Sequence, residues 1–512
     1  MKLKVILLSI LLIPFALKAQ KTIWAKPLTH DVSLVSNLHK VCTDSEDNFY
    51  VMANFARKIS FGTIELKSGS KSPDVNDAFI AKIDPYGETI FWGIQITGLG
   101  NIEGKSITTD SQNNLYVTGS FEGETTFGQT TISPKHKFGF FIAKYNSNGD
   151  FQWVRQGGNY ESKWGVATTF GYAVKTDKFG NVYVAANVLG MYDDWVHDPS
   201  LPIEKQYLGK AYFEDQAIEG DEFYTGNHTV IVKLAPDGNL IWKRVGALNL
   251  NLVDLAIDEN ENTYLTGSIG GTSVFEGKKI EANGLSDIIV IKFDNKGKTA
   301  WIKQFGTGKP YSSGAYATKP ANDIEGGQFI AIDAAGNIYF TGVHFDGAKF
   351  DDKTLSSNAN IKGMEVGNAF LAKLDKEGNI KWIKNAEGKG TANLSGMVCD
   401  KNGNVYISGA IVFKKVTFDG KKAKGPFIMK FDTDGEIQWV DDADTRDKSW
   451  GKTVKVKVSW ISGLAINKTE DFLYTTGNAI KETKESRVSG LYETTTTTTT
   501  ETLIAVSKIK TE

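Results

Sequence analysis

The chain is poor in the residues that usually mark an enzyme, a disulfide scaffold or a nucleic-acid-binding protein. Its 512 residues include only two cysteines, six histidines and eleven prolines, and its formal net charge is −2. The histidines show no metal-site spacing, and no nucleophile elbow, phosphate-binding loop or dinucleotide fingerprint is present. The near-zero net charge argues against nucleic acid or an anionic membrane as a partner. The sequence therefore leaves catalytic residues unassigned and predicts no bound metal.

Long apolar runs are also scarce. The only one, Val5 to Leu17, follows Lys2 and Lys4 and ends at Ala19. It is too short for a membrane span and is typical of a secretory signal peptide cleaved near Ala19. No cysteine stands at the cleavage site, which argues against a lipid anchor. We expect residues 1–19 to be removed and the mature protein to be exported, either secreted or associated with the periplasm or the cell surface.

Glycine and aromatic residues are plentiful, and they follow a repeat. There are 52 glycines, and aromatic residues make up 11% of the chain. Residues 104–158 contain four short runs of alternating polarity separated by Gly, Asn and Asp turns, which predicts four strands, A to D. A tyrosine marks strand B, a lysine strand C and a tryptophan strand D. The markers are Tyr50, Tyr116, Tyr183, Tyr264, Tyr339, Tyr406 and Tyr474; Lys82, Lys144, Lys233, Lys292, Lys373, Lys430 and Lys508; and Trp92, Trp153, Trp242, Trp301, Trp382 and Trp439.

The number of markers predicts a closed ring. Seven tyrosines and seven lysines are accompanied by only six tryptophans, while an isolated strand-D segment around Trp24 precedes the first repeat. We therefore predict an all-β, seven-bladed β-propeller of four-stranded antiparallel blades, in which the N-terminal strand completes the last blade. It forms a single domain over 20–512, with blades at about 40–97, 104–158, 171–246, 252–306, 328–387, 395–442, and 461–512 with 22–28.

The two cysteines are predicted to be buried free thiols. Cys42 lies two residues before Asp44 and Cys399 one residue before Asp400, each at the end of a strand A. Odd and even positions of a strand point to opposite faces, and the two blades are not neighbours. No disulfide is expected.

The repeat resembles a known family. The pattern Asp-x-x-Gly-Asn-x-Tyr-x-Thr-Gly, followed by Phe-Ile-Ala-Lys-x-Asp-x-x-Gly-x-x-x-Trp, is similar to the SBBP β-propeller repeat of secreted and surface proteins of bacteria. The clearest matches lie at 110–119 with 141–153 and at 333–342 with 370–382. The signal peptide and repeats look like those of Bacteroidetes proteins. The resemblance implies an exported propeller and brings no shared catalytic residues.

One face of the predicted ring carries all the long connections. The A–B and C–D turns are uniformly short and lie on one face, whereas the B–C and D–A connections lie on the other, which we call the decorated face. Loops on a rigid scaffold often carry function. Five B–C connections share a phenylalanine element that predicts a short hairpin or strand extension with a structural role. These phenylalanines are Phe61, Phe127, Phe275, Phe350 and Phe418.

The candidate ligand-binding residues are aromatic and acidic residues of the decorated face. Trp164, Trp195, Trp450 and Trp460 fall outside the repeat register. Exposed aromatic rings stack on sugars or anchor protein partners, although they also fasten long loops to a ring, and for Trp460 we favour packing. The predicted site consists of Tyr160, Trp164, Asp193, Asp194, Trp195 and Trp450.

The connection at about 188–228 in blade 3 is rich in acidic residues. Calcium, which prefers several oxygen ligands, is one interpretation. The spacing of the acids matches no calcium loop, and a solvated charged loop is the alternative. We therefore expect no cofactor, with Ca²⁺ as the only one that the composition leaves open.

The sequence favours a monomeric, non-catalytic binding or scaffold propeller. Its decorated face would recognise a protein or glycan of the cell envelope or exterior. The alternative is a propeller enzyme, a hydrolase or lyase acting on polysaccharide, because the fold alone does not decide function. Such an enzyme requires carboxylates from different blades to converge in a pocket.

Overall fold

The protein forms a ring of β-sheets. A computed structural model describes residues 22–27, 31–32, 40–70, 72, 75–135, 137–159, 169–190, 211–214, 216–218, 226–246, 250–275, 278–284, 286–308, 325–361, 364–442, 454–488 and 494–511. Every regular element in these ranges is a β-strand, and seven four-stranded antiparallel sheets form the blades. The predicted fold class is confirmed.

Each blade contributes strands A to D, and only the last blade departs from chain order. The strands of the seven blades in turn are Lys40–Thr43, Phe49–Ala56, Asn76–Ile83 and Ile90–Gly98; Ile102–Thr109, Leu115–Glu122, Phe138–Tyr145 and Phe151–Asn159; Thr169–Thr176, Val182–Gly190, Gly226–Leu234 and Leu240–Gly246; Leu250–Ile257, Thr263–Ile269, Asp287–Phe293 and Thr299–Phe305; Gly326–Ile332, Ile338–His344, Asn368–Leu374 and Ile380–Gly388; Thr391–Cys399, Val405–Val412, Pro426–Phe431 and Ile437–Asp442; and Val454–Ile466, Phe472–Val488, Thr494–Lys510 and Thr22–Pro27.

The N-terminal strand closes the ring as predicted. Thr22–Pro27 pairs antiparallel with strand C of blade 7, and Trp24 lies opposite Lys508. In the other six blades the strand-D tryptophan lies opposite the strand-C lysine, which itself lies opposite the strand-B tyrosine. Because Tyr474 also lies opposite Lys508, Trp24 completes the seventh row of the same pattern.

The A strands form the inner wall of the ring. Each contacts the A strands of both neighbouring blades, including that of blade 7 with that of blade 1. Threonine hydroxyls link four of these strands in sequence. Thr176 donates to the carbonyl of Thr109 (2.9 Å), Thr109 to that of Thr43 (2.7 Å), and Thr43 to that of Ile466 in blade 7 (2.8 Å). The A strands therefore surround a central channel.

The hydrophobic core lies between successive blades. One buried cluster, for example, combines Tyr50 and Met52 of blade 1 with Val117 and Phe141 of blade 2. Burial of a side chain of this size stabilises a fold by roughly 1.5–3 kcal/mol. Because such clusters join one blade to the next, neighbouring blades depend on each other for stability.

The phenylalanine elements between strands B and C are short hairpins. The hairpin of blade 2 pairs with strand D of blade 1, and that of blade 6 pairs with strand D of blade 5. The phenylalanine packs inward, as Phe127 and Phe418 show. Blade 3 has a sixth copy, Phe213, which its long connection hides in the sequence. The hairpin strands of blades 1 to 6 are Lys58–Phe61 with Ile64–Lys67, Thr125–Phe127 with Thr130–Ile132, Ala211–Phe213 with Gln216–Ile218, Thr272–Phe275 with Lys278–Glu281, Ala348–Phe350 with Lys353–Leu355, and Val416–Phe418 with Lys421–Ala423.

A few further strands lie outside the blades. Asp31–Val32 pairs with the hairpin of blade 1, and Asn360–Ile361 pairs with Met364–Glu365. In blade 7, strands B and C continue as one long hairpin in which Thr494 to Thr500 pair with residues 482–488. The predicted extension of blade 7 is therefore a β-ribbon.

Cys42 and Cys399 are free thiols, as predicted. They pack against different hydrophobic clusters, Cys42 in the cluster of blade 2 and Cys399 in that of blade 6. Both side chains are partly rather than fully buried. Burial raises the pKa of each thiol far above its usual range, so both are weak nucleophiles.

Candidate functional site

The repeated polar residues tie each blade to the next. In blade 5, the Tyr339 hydroxyl donates to Asp333 Oδ2 (3.1 Å), and Lys373 Nζ lies 5.2 Å from the centre of the Tyr339 ring. The ammonium of Lys373 and the indole N–H of Trp382 both donate to the carbonyl of Thr433, at 3.0 and 2.9 Å. Thr433 lies in the C–D turn of blade 6, so these bonds connect two blades.

The same tie occurs around the ring. An indole N–H donates to a carbonyl of the following blade in five blades, at Trp92, Trp153, Trp301, Trp382 and Trp439. Trp242 is the exception, because its buried Nε1 has no acceptor among the described residues. Gly435 shows why the C–D turns need glycine: its φ is 81°, and a Cβ would lie 3.0 Å from the Trp382 ring. Inter-blade packing is thus confirmed for the six in-register tryptophans.

The aspartates that end the A strands complete these ties. Asp110 Oδ1 accepts the backbone N–H groups of Gln112 and Asn114, while its Oδ2 accepts from the Asn114 amide and the Tyr116 hydroxyl. Burial, and then the Asp110 charge, raise the pKa of Tyr116 well above its usual range. The recurring Asp, Tyr, Lys and Trp residues therefore serve the fold, and a ligand site has to be sought elsewhere.

The predicted ligand residues cannot be placed in this ring. Tyr160, Trp164, Asp193, Asp194, Trp195 and Trp450 all lie outside the described residues, so the site remains a prediction. Trp460 is half-buried in strand A of blade 7, opposite Asn478. Most of the acidic connection of blade 3, and with it the Ca²⁺ interpretation, also lies outside the described part. Its Glu214 is described and accepts the backbone N–H of Gln156 at 2.7 Å, which is a structural use.

The described ranges have neither a metal-binding cluster nor a membrane-spanning helix. They contain no group of three or more His, Cys, Asp or Glu side chains that could hold a metal ion. Within the same ranges, no helix is long and apolar enough to cross a membrane.

Blade 6 carries a lysine-rich patch at the decorated edge of the ring. Phe413 follows strand B in a left-handed conformation, with φ 72°, and 70% of its side chain is exposed. A non-glycine residue rarely adopts this φ, so the turn holds an aromatic ring out into solvent. Exposed lysines surround it in the D–A connection, the B–C connection and the hairpin. We call Phe413, Lys389, Lys414, Lys415, Lys422 and Lys424 the blade 6 patch.

Backbone packing brings the parts of the blade 6 patch together. Gly388 and Gly390, on either side of Lys389, lie so close to the carbonyls of Lys415 and Lys414 that a Cβ would not fit. A side-chain hydrogen bond with Lys422 of the hairpin, and then the like charge of that residue, lower the pKa of Lys415. No ion pair within 4 Å joins the five lysines to any acid in the described ranges. The patch is therefore positive and open to solvent.

The nearest acidic residue of the hairpin is already neutralised. Asp419 pairs with Lys384 at 2.7 Å, and Lys384 also pairs with Glu436 at 3.2 Å. The remaining lysine of the hairpin, Lys421, is not available either, because its Nζ donates to the carbonyl of Ile437. Asp419, Lys384 and Lys421 are therefore bonded within the protein, whereas the lysines of the blade 6 patch remain available to bind a partner.

Asp287 and Glu325 form a pair of buried carboxylates contributed by blades 4 and 5. Asp287 Oδ2 accepts the N–H of Asn283 (2.9 Å), while the Glu325 oxygens accept the N–H groups of Thr307 (2.8 Å) and Phe345 (2.9 Å). Burial and the nearby Asp287 charge raise the pKa of Glu325. Asp287 is fully buried and Glu325 nearly so. The pair holds loop backbone, and a polysaccharide has no access to it.

Lysines also line the central channel. Lys40, Lys105 and Lys175 come from the A strands of blades 1, 2 and 3, and all three are half-buried. Burial lowers the pKa of Lys40, Asp254 of blade 4 opposes this shift, and Lys105 and Lys175 add to it. Blades 1 and 4 are not neighbours, so Lys40 and Asp254 interact across the channel.

The repeat matches a known family model. The model described as a beta-propeller repeat, SBBP, matches residues 92–120, which run from strand D of blade 1 into strand B of blade 2. The chain contains SBBP-type repeats. Together with the ring of seven blades, this confirms the resemblance inferred from the turn and strand motifs.

The SBBP-repeat protein is similar in sequence to a distant viral protein. An uncharacterized WD repeat-containing protein, L264, of Acanthamoeba polyphaga mimivirus is 24% identical over 429 residues, which cover 74% of this chain. They cover only 30% of the viral protein, so the chain spans less than a third of that relative's length.

Solved structures give only a coarse likeness. A protein of unknown function from Dyadobacter fermentans is 8% identical over 96% of this chain and 99% of its own, with a TM-score of 0.38. A mutant of the Synechocystis apocarotenoid oxygenase is 10% identical over 90% of this chain and 88% of its own, with a TM-score of 0.37. A mutant puromycin hydrolase is 10% identical over 90% of this chain and 61% of its own, with a TM-score of 0.34. At these TM-scores the neighbours carry no functional argument for the SBBP-repeat protein.

Sequence reasoning missed the blade 6 patch and the channel lysines. The run from Phe413 to Lys424 contains five lysines and one aspartate, a local charge signal that could have marked the patch. The channel lysines had no such signal, because Lys40, Lys105 and Lys175 are far apart in sequence and occupy different positions in their strands.

Proposed function

We propose that the protein is an exported binding or scaffold module that recognises its partner through the decorated face. The main support is that the repeated polar residues and the surface lysines of blade 6 have different roles. The repeated Asp, Tyr, Lys and Trp side chains bond blade to blade, whereas the positive charges of the blade 6 patch have no ion-pair partner among the described residues. Surface charge of this kind is available for recognition.

The chemistry of the patch favours a glycan that carries acidic groups. Lysine ammonium groups bind carboxylate and sulfate oxygens through charge-assisted hydrogen bonds. An exposed aromatic ring such as that of Phe413 offers an apolar surface on which a sugar ring can stack. A protein partner would bring a different pattern, namely a larger apolar surface with a polar rim.

The enzyme alternative receives less support. A polysaccharide hydrolase or lyase needs carboxylates that reach the substrate. The Asp287–Glu325 pair is buried, and three of its four oxygens accept backbone N–H groups of the surrounding loops, while Asp287 Oδ1 has no partner among the described residues. The pair therefore has a structural role, which argues against it as the catalytic carboxylates of an enzyme.

The test is a glycan-array and pull-down comparison with residues 20–512. The patch variant combines Lys414→Glu, Lys415→Glu and Lys422→Glu. The matched control combines Lys296→Glu, Lys298→Glu and Lys376→Glu, which reverse three exposed charges at C–D turns on the opposite face. Both variants are first compared with the parent by circular dichroism.

We expect the parent and the control to retain acidic glycans. Binding of acidic glycans by the patch variant should be weaker by about tenfold or more. The same loss is expected for the parent in about 1 M salt, where charges are screened over ~3 Å. Retention of only neutral glycans, or of a protein alone, would contradict the acidic-glycan proposal. If the patch variant binds as tightly as the parent, the blade 6 patch does not contribute to the binding site.

A further inference from the structure

Charged residues are unevenly distributed along the inner wall of the ring. Lys40, Lys105 and Lys175 lie on the A strands of three consecutive blades. The A strands of blades 5 and 6, Gly326–Ile332 and Thr391–Cys399, contain no lysine or arginine, whereas that of blade 7, Val454–Ile466, contains Lys455 and Lys457. The lysines of blades 1, 2 and 3 thus face the uncharged A strands of blades 5 and 6.

Two of the three lysines have no partner that would explain their position. Lys105 forms an ion pair with Glu103 (2.6 Å) and lies 4.9 Å from the centre of the Phe170 ring. The ammonium groups of Lys40 and Lys175 make no hydrogen bond and no ion pair within 4 Å with any described residue. Half-buried ammonium groups usually acquire such partners, so this part of the channel lacks a counter-charge.

Asp254 does not supply that counter-charge in full. Its Oδ2 accepts the backbone N–H of Ile330 in blade 5 at 3.0 Å, which fixes the carboxylate to the wall of the ring. It is one charge facing Lys40 and Lys175. With Glu103 committed to Lys105, the set of five side chains carries a net charge of about +1 when all are ionised.

The A strands of blades 5 and 7 also have unpaired polar groups. Strand A carries a β-bulge at the same position in six blades, at Lys105, Tyr172, Val253, Gln328, Ser395 and Ser462. Two of these bulged residues, Gln328 and Ser462, contain a buried oxygen with no hydrogen-bond partner among the described residues. A bulge commonly redirects side chains next to functional sites. Unpaired donors and acceptors thus occur on both sides of the inner wall.

The cost of the lysine arrangement points to a ligand. Burial and the two neighbouring ammonium groups lower the pKa of Lys40, which means that its charged form is less favourable in the ring than in water. An anion placed among the three would remove the repulsion and supply the missing acceptors. Functional sites commonly hold such locally unfavourable groups.

We propose that the central channel binds a small oxyanion of the phosphate type between Lys40, Lys105 and Lys175. Three point charges on flexible stems suit a tetrahedral anion with several oxygens, which lysine binds without the planar geometry that arginine needs. The site lies inside the ring, is built from other residues than the blade 6 patch, and does not depend on the proposed glycan recognition.

The experiment is calorimetric titration of residues 20–512 with inorganic phosphate in about 0.15 M NaCl, where unpaired surface charges are screened over ~8 Å. Lys40→Met and Lys175→Met remove one charge each with little change of volume. Lys296→Met, at an exposed turn outside the channel, is the matched control. Asp254→Asn removes the opposing negative charge but keeps an oxygen to accept the N–H of Ile330.

We expect saturable binding of phosphate by the parent and by Lys296→Met. Each of Lys40→Met and Lys175→Met should weaken binding about tenfold or more, and Asp254→Asn should tighten it several-fold, because the two kinds of change alter the charge in opposite directions. No binding by a folded parent at millimolar phosphate would overturn the proposal. So would unchanged affinity in both methionine variants, or acetate binding as tightly as phosphate.

Discussion

Replacing Trp382 by phenylalanine should destabilise the ring, whereas the same replacement at Trp242 should not. The indole N–H of Trp382 donates to the carbonyl of Thr433 in the next blade at 2.9 Å. Phenylalanine keeps the aromatic packing but loses that bond. Lys373 still donates to Thr433 at 3.0 Å, so no acceptor is left unpaired. The expected cost is one net hydrogen bond, about 0.5–1.5 kcal/mol, together with the smaller ring.

Trp242 provides the matched control. It occupies the same place in blade 3, opposite Lys233, but its buried N–H has no acceptor among the described residues. An unpaired buried donor costs roughly 1–3 kcal/mol, which phenylalanine would relieve. Because the loss of ring area is common to both variants, Trp382→Phe should be less stable than Trp242→Phe by about 2 kcal/mol or more.

The assay is urea unfolding followed by circular dichroism, with the two midpoints compared at a common slope. Equal midpoints, or a larger loss at Trp242, would refute the view that the tryptophan bonds hold the blades together.

Two further changes test the closure of the ring and the cost of the channel lysines. Deleting residues 21–29 removes strand D of blade 7 and its ladder, at about 1 kcal/mol net for each hydrogen bond, so the melting temperature should fall; an unchanged melting temperature would contradict closure by this strand. Lys40→Met should raise the urea midpoint at pH 7, because the pKa of Lys40 is lowered in the native state and its charged form costs stability at any pH below that native pKa. The gain should shrink as the pH rises through the lowered native pKa and disappear above the unfolded value of about 10.4, and equal midpoints at pH 7 would contradict the argument.

The fold could be predicted because its signals are local and repeated. A tyrosine, a lysine and a tryptophan at fixed spacing specify three strands that pair in register, as the row Tyr116, Lys144 and Trp153 shows. The turns between them have their own mechanism, since an aspartate such as Asp110 binds the turn backbone. Trp24 could be assigned to the last blade because seven tyrosines and seven lysines are accompanied by only six in-register tryptophans.

The contacts between blades were harder to anticipate. Nothing in the spacing around Phe127 indicates that its hairpin pairs with the preceding blade, because that partner is far away in sequence. Phe213 escaped notice because a long connection precedes it. Lys105 was not recognised as a channel residue, since the bulge that holds it is invisible in the alternation of polar and apolar residues. The site inferred around Trp164 and Trp195 rested on loop position alone, and the described structure does not reach it.

The lysine and tryptophan bonds between blades to backbone carbonyls point the same way around the ring. The lysine and tryptophan of one blade donate, and the C–D turn of the next blade accepts, as Lys144 and Trp153 do with Pro236. The contact between blade 7 and blade 1 follows the same direction, from Lys508 to Pro85. Each interface is therefore heterologous, and it is satisfied within one molecule only because the rotation closes after seven steps. A chain cut between two blades would end in a donating surface and an accepting surface that fit each other. Because the rotation closes after seven steps, two complementary fragments of one chain would associate through these surfaces into the same closed ring.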